Sequence, residues 1–225
     1  ILDFKDTFGL NSGTQILKII KILIKKKNYN INITFHDLFI KTNQKLIITG
    51  SCITSENIEY FSVDHSPNMK IMDALRISIS FPFIFSPVQM NEKLYVDGGL
   101  LDILPISIIH KYLPQDIIAI QINSEKITKI NSLQIYFTKL TATVQNYILK
   151  LRNSIYKHRI IHIPLSYNSF DFELNKEYKK NIINIGYIKT KEFLNKKIPI
   201  SIKYMYLNKH LEHKIFHQKL MKYNS

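Results

Sequence analysis

Cysteine is nearly absent from this sequence: Cys52 is the only one in 225 residues. A lone thiol excludes an internal disulfide framework and points to a reducing compartment. Long hydrophobic runs are absent too. Lys18 and Lys21 interrupt the apolar stretch Ile16–Ile24, and nothing approaches the roughly 20 consecutive apolar residues of a bilayer-crossing helix. No basic–apolar–small leader opens the chain, so an intracellular location is expected, cytoplasmic or peripheral on a membrane. The chain opens on Ile1 and not on Met, and residues upstream of it are expected. Glycines number six; they form no phosphate-binding loop. Neither an internal repeat nor a low-complexity linker divides the chain.

What is present is a sizeable apolar fraction, 45%, enough to build a packed core and to exclude general disorder. Charge is unevenly placed. Residues 1–124 hold 12 Lys/Arg against 11 Asp/Glu, whereas residues 125–225 hold 19 against 6, so nearly all of the net +14 lies in the second half. A basic surface of this kind attracts anionic lipid or nucleic acid. A lysine-rich coding bias is the plainer explanation, but it does not account for the balanced first half.

Periodicity predicts an amphipathic helix through Ile16, Ile19, Ile20 and Leu23, with Lys18, Lys21 and Lys25 facing away. Thr34 is placed to cap a short helix over Asp37–Ile40, with Asp37 in the capping-box position. The run Leu46–Thr49, ended by Gly50, reads as a buried strand and Ile58–Val63 as its neighbour. A helix over Met69–Ser80 is closed by Phe81-Pro82. A short strand, Lys93–Val96, runs into Asp97-Gly98-Gly99, and Pro105 opens a helix to Tyr112. Asp116–Ile122 is a further strand. Strands alternating with helices indicate an α/β layered fold. Beyond Asn123 the pattern is mainly helical and basic. A long amphipathic helix runs through Leu133, Phe137, Leu140, Val144, Tyr147, Leu151 and Ile155, Ile160–Ile163 is one more strand, and Lys176–Leu194 and Tyr204–Tyr223 are basic helices. The expected division is therefore residues 1–123 and 124–225.

The stretch that carries chemistry runs from Ser66 to Ile106. It holds Ser66-Pro67-Asn68-Met69, Asp73-Ala74-Leu75-Arg76-Ile77-Ser78, Phe81-Pro82-Phe83-Ile84-Phe85-Ser86-Pro87-Val88 and Tyr95-Val96-Asp97-Gly98-Gly99-Leu100-Leu101. In this order the segments resemble the second half of patatin-like phospholipase domains. That family shows a Pro-x-Met element, an Ala-x-Arg-x-Ser helix, a Pro-rich turn and a terminal Asp-Gly-Gly or Asp-Gly-Ala. The resemblance covers about residues 7–123, and the ordered set is far more specific than any one motif. Ile103 departs from it, standing where the family often has Asn before x-Pro.

The resemblance implies a three-layer α/β/α patatin-like sheet, present in part, and a lipid acyl hydrolase with a Ser–Asp dyad. In that dyad Asp97 is the general base that takes the proton of the attacking serine. Gly98 and Gly99 are the motif glycines, expected to allow positive φ and close packing so that the carboxylate points into the site. Partial burial is expected to raise its pKa toward that of a working base. No metal or other cofactor is needed. The substrate class is a phospholipid or other acyl lipid, with an anionic membrane surface as a docking partner and no nucleic acid expected.

The nucleophile is not in this chain. It belongs in a Gly-x-Ser-x-Gly elbow, and the one glycine pair at that spacing, Gly9 and Gly13, has Asn11 at its centre and Ser12 one place off. The oxyanion loop is missing as well, so residues 1–225 alone are expected to be inactive. The alternative is a non-catalytic patatin-like module that binds anionic lipid, or less readily nucleic acid, through its basic half. No aromatic–basic cluster of the base-stacking kind is present. His210, His213 and His217 share a helical face, but without a His-Glu-x-x-His pattern they read as a solvated face rather than a zinc site. His65 and His110 have nothing to place them beside Asp97.

Overall fold

A computed structural model describes residues 8–106, 108, 117–124, 129–156, 159–165 and 175–197. The chain divides into two compact units, one of residues 1–115 with 127–156 and the other of 116–126 with 157–225. Both mix strands and helices, and the architecture is α/β.

The larger unit opens with a short strand, β1 (Gly9–Asn11), and helix α1 (Thr14–Lys26). Gly13 makes the turn between them at φ 74°, where a side chain is disfavoured. Helix α2 (Phe35–Thr42) begins where the capping signal places it. Asp37 N–H donates to Thr34 Oγ1, and Thr34 N–H donates to Asp37 Oδ2, both at 3.1 Å. The Pro-x-Met segment lies alongside: Phe35 N–H donates to Met69 O and His36 N–H to Pro67 O.

Strands β2 (Ile48–Cys52), β3 (Asn57–Phe61), β5 (Val88–Met90) and β6 (Lys93–Asp97) form an antiparallel sheet in the order β3-β2-β6-β5. Strand β2 does not stop at Gly50, as its sequence pattern predicts, but passes through it to Cys52. The glycine is needed inside the strand because Ile77 and Phe61 press on it: a Cβ there would lie 2.6 Å from Ile77 Cγ2 and 2.9 Å from Phe61 Cε2. Helix α3 (Ile71–Ser78) packs on β2 and β6, starting two residues later and ending two earlier than its sequence reading. Ile33, Phe35, Ile48, Cys52, Phe61, Ile71, Ala74, Ile77 and Tyr95 make the core. Each large apolar side chain buried there contributes about 1.5–3 kcal/mol. The Pro-rich segment expected as a turn contains strand β4 (Phe83–Phe85), parallel to β1, and runs at Val88 into strand β5.

Helix α4 (Leu133–Tyr156) completes this unit, and its orientation differs from the one its apolar periodicity implies. Thr138, Gln145 and Leu149 are buried, while Leu133, Leu140, Val144 and Tyr147 are 49–70% exposed. Phe137 alone of the described predicted stripe faces a partner, stacking on Phe83 with ring centroids 4.1 Å apart. A specific stack and a specific hydrogen bond, given below, decide which side of the helix is covered.

In the second unit, β7 (Ala119–Ser124) pairs in parallel with β8 (Ile160–Leu165), Ala119 opposite Ile160 and Ser124 opposite Leu165. Helix α5 (Lys176–Lys197) packs on β8. The helix from Pro105 lies largely, and the Tyr204–Tyr223 helix wholly, outside the described residues.

Candidate active site

Asp97 is the last residue of β6, opposite Gly50 of β2, and the chain turns sharply after it. Gly98–Leu100 make one turn of 3-10 helix, and Asp97 caps that turn itself: Gly99 N–H donates to Asp97 Oδ1 at 2.8 Å. Among the described residues this amide is the only hydrogen-bond donor to the carboxylate, and Oδ2 accepts none. Burial pushes the Asp97 carboxyl above the ordinary carboxylate range, and the Gly99 amide partly opposes it.

Gly98 serves space rather than φ. Neither Gly98 nor Gly99 has positive φ, contrary to the sequence expectation. A Cβ on Gly98 would sit 2.2 Å from Thr49 Oγ1 and 2.7 Å from the Thr49 carbonyl carbon. The turn therefore lies directly on β2, and Asp97 at its start is half-buried.

Three groups of side chains hold this turn. Ser51, wholly buried on β2, donates its hydroxyl to Gly98 O at 3.3 Å. Ser80 O accepts the Asp97 N–H at 3.0 Å, and Ser80 Oγ both donates to Arg76 O at 2.7 Å and accepts from Arg76 Nη1. Arg76 Nη2 donates to Ser86 O at 2.8 Å. The arginine of the Ala-x-Arg-x-Ser helix thus ties the end of α3 to the segment before β5, and through Ser80 to the backbone of Asp97. From α4, Gln145 Nε2 donates to Gly99 O at 2.9 Å. Of these holders the sequence singles out Arg76. Ser51 and Gln145 carry no pattern that marks them, because their partners are backbone atoms far away in the chain, and Ser80 reaches Asp97 through its main-chain carbonyl alone.

Other flagged residues lie apart from the turn. Ser12 is exposed and shares a 2.7 Å hydrogen bond with Thr14 Oγ1; the left-handed residue of that strand–helix turn is Gly13, not Ser12. His65 is exposed. His110, His210, His213 and His217 lie outside the described residues. Among the described residues no group of three or more His, Cys, Asp or Glu is placed to hold a metal, and no helix is long and apolar enough to cross a membrane.

A strand thus delivers a half-buried carboxylate onto an Asp-Gly-Gly turn braced by the Ala-x-Arg-x-Ser helix. Residues 2–110 match the model of the patatin-like phospholipase family. The chain is similar to a probable lipid hydrolase of Invertebrate iridescent virus 6, 34% identical over 110 residues, which are 49% of this chain and 38% of that protein. It is also similar to an uncharacterized protein of Acanthamoeba polyphaga mimivirus, 27% identical over 205 residues, covering 86% of this chain and 67% of that one. Among solved structures, VipD from Legionella pneumophila aligns with 72% of this chain and 35% of its own, at a TM-score of 0.48 and 15% identity. The chain thus spans well under half of the lipid hydrolase relative.

Proposed function

We propose that the whole protein of which these residues form a part is a lipid acyl hydrolase, with Asp97 as the general base of a Ser–Asp dyad on a three-layer patatin-like sheet. The observation that carries this reading is the Asp97 carboxylate: one oxygen is tied to Gly99 N–H, the other is open, and burial raises its proton affinity. Asp97 takes the proton of a serine hydroxyl supplied by residues upstream as the serine oxygen attacks the ester carbonyl. The proton passes to the departing alcohol, and an acyl-serine remains. Water then attacks, Asp97 takes a proton from it, and the fatty acid leaves as the serine is regenerated. The acyl–serine bond made in the first half is broken in the second, the water proton returns through Asp97 to the serine oxygen, and no metal or organic cofactor takes part.

The docking partner in this reading is an anionic lipid surface. Helix α1 exposes Ile19, Ile22 and Leu23 by 55–59%, and it carries Lys18, Lys21, Lys25 and Lys26 without one acidic residue. An apolar stripe flanked by lysines suits the boundary of headgroups and acyl chains. The basic second half adds to the same attraction.

The test is ester and phospholipid hydrolysis by the protein extended upstream, wild type against Asp97→Ala. A loss of about a thousandfold or more in kcat with the fold intact supports the dyad. Undiminished turnover in Asp97→Ala sinks it, and no turnover in either protein moves the weight to a non-catalytic lipid-binding module. Because burial raises the Asp97 pKa, kcat/KM falls as pH drops through that raised value, at a higher pH than an ordinary carboxylate would set.

A further inference from the structure

Gln145 lies outside the family-matched segment, on α4, and only 7% of it is exposed. Burying a primary amide is unfavourable unless it is hydrogen-bonded, and here the bond goes to Gly99 O at 2.9 Å. Gly99 is therefore gripped at both ends, its N–H by Asp97 Oδ1 and its carbonyl by Gln145. The preceding carbonyl, Gly98 O, accepts from Ser51 Oγ and from the Leu101 and Asp102 amides. A second anchor fixes the same helix: Phe137 stacks on Phe83 with the ring planes 15° apart. Phe83 sits at φ 67°, an outlier for an aromatic residue. Helix α4 keeps this docking while leaving Leu140, Val144 and Tyr147 about half to two-thirds exposed. Its position over the Asp-Gly-Gly turn is thus set by Gln145 and Phe137 and not by its apolar periodicity.

We propose that Gln145 is a positioning residue for Asp97: its side-chain amide pins the Gly99 carbonyl and holds the turn in the form that presents the open carboxylate oxygen. This rests on the reading of Asp97 as the base. Without the pin, the 99–100 peptide is free to rotate, the turn loosens on β2 and water reaches the carboxylate. Burial is the larger of the two influences on Asp97 and the Gly99 bond the smaller. Loosening that weakens both therefore brings the carboxyl pKa down toward the ordinary range.

The experiment titrates the Asp97 carboxyl carbon by 13C NMR in the full 225-residue chain, comparing wild type, Gln145→Met and Thr138→Val. Met keeps the length and volume of Gln without its donor. Thr138 is buried on the same helix, and its carbonyl accepts from Thr141 Oγ1 one turn further along. Its variant keeps the side-chain volume and exchanges the hydroxyl for a methyl, so it reports a buried change in α4 that leaves the Gln145 bond in place. The expected result is a lower Asp97 pKa in Gln145→Met and an unchanged one in Thr138→Val. In the upstream-extended protein, Gln145→Met should lower kcat about tenfold to a hundredfold with KM nearly constant, as misplacement of a reacting group does. A wild-type titration in Gln145→Met, or an equal shift in Thr138→Val, overturns the proposal. Should Gln145→Met not fold, Gln145→Asn withdraws the amide by one methylene and is held to the same outcomes. If Asp97→Ala leaves hydrolysis intact, the dyad reading fails, while the titration still decides whether Gln145 positions Asp97.

Discussion

Two turns in the larger unit carry glycine at a strand end, and they use it for different reasons. At Gly13, between β1 and α1, the backbone is left-handed at φ 74° and there is room for a side chain, since the nearest atoms, of Arg76 and Phe85, would lie 3.6 Å from an added methyl. At Gly98, after β6, the backbone is ordinary and there is no room at all, with Thr49 atoms 2.2–2.7 Å away. The first glycine bends the chain; the second lets one strand's turn lie on its neighbour. Both sit beside a polar residue, Ser12 in one case and Asp97 in the other. At the crowded turn the neighbouring carboxyl is buried, and burial raises its pKa.

The largest expected effect comes from breaking that crowding. Gly98→Ala places a methyl against both the side chain and the backbone of Thr49. Overpacking that a rotamer change cannot relieve costs about 3 kcal/mol or more. Adding Thr49→Ala removes the hydroxyl contact but leaves the backbone contact at 2.7 Å. The double variant should therefore melt well below wild type in a thermal scan. If it recovers wild-type stability, the turn does not lie on β2.

A smaller effect is expected at the other turn. Gly13→Ala meets no obstruction but must adopt a left-handed backbone, which costs about 1–2 kcal/mol. Gly13→Asn should lose less, since asparagine tolerates that region. Chemical denaturation of the three proteins gives the order Gly, then Asn, then Ala. Equal losses in Asn and Ala would mean that space, and not φ, decides at this turn too.

Thr34→Ala should cost about 1 kcal/mol by the same measurement, because it leaves the Asp37 amide at the start of α2 without its cap. Its removal touches neither glycine turn, so it gives the scale of an ordinary local loss against which the two are judged.

The same division between local and distant causes governs how much of the molecule is legible in its sequence. The Thr34–Asp37 capping box is readable because both partners lie within four residues. Asp97 and its two glycines are readable through the ordered motifs around them. The purpose of Gly98 is not, because Thr49 presses on it from 49 positions earlier in the chain. The β5–β6 hairpin escapes a sequence reading since its two-residue turn, Asn91-Glu92, has φ of 50° and 61° yet lacks the glycine that usually announces such a turn. Helix α4 is legible in extent, whereas its covered side is the reverse of the one its pattern implies. Periodicity registers apolar side chains, and a 2.9 Å bond from Gln145 to a backbone carbonyl leaves no periodic trace.

The smallest expected effect, and the one that depends on pH, concerns what the crowded turn does to Asp97. Its carboxyl is raised above the ordinary value, chiefly by burial. The folded state therefore holds a proton that the unfolded state has released across the interval between the two pKa values, and folding stability falls as pH rises through it. Below the ordinary carboxylate pKa the contribution is fully present; above the raised value it is lost and stays lost. Asp97→Asn keeps the shape and removes the ionisation, so it should match wild type at low pH and melt above it near neutrality. Stability regained by deleting a charged group is the signature of a side chain retained for chemistry rather than for the fold. Wild type and Asp97→Asn with the same melting profile at every pH would mean that β2 does not desolvate the carboxylate, and the contrast between the two glycine turns would then be one of geometry alone.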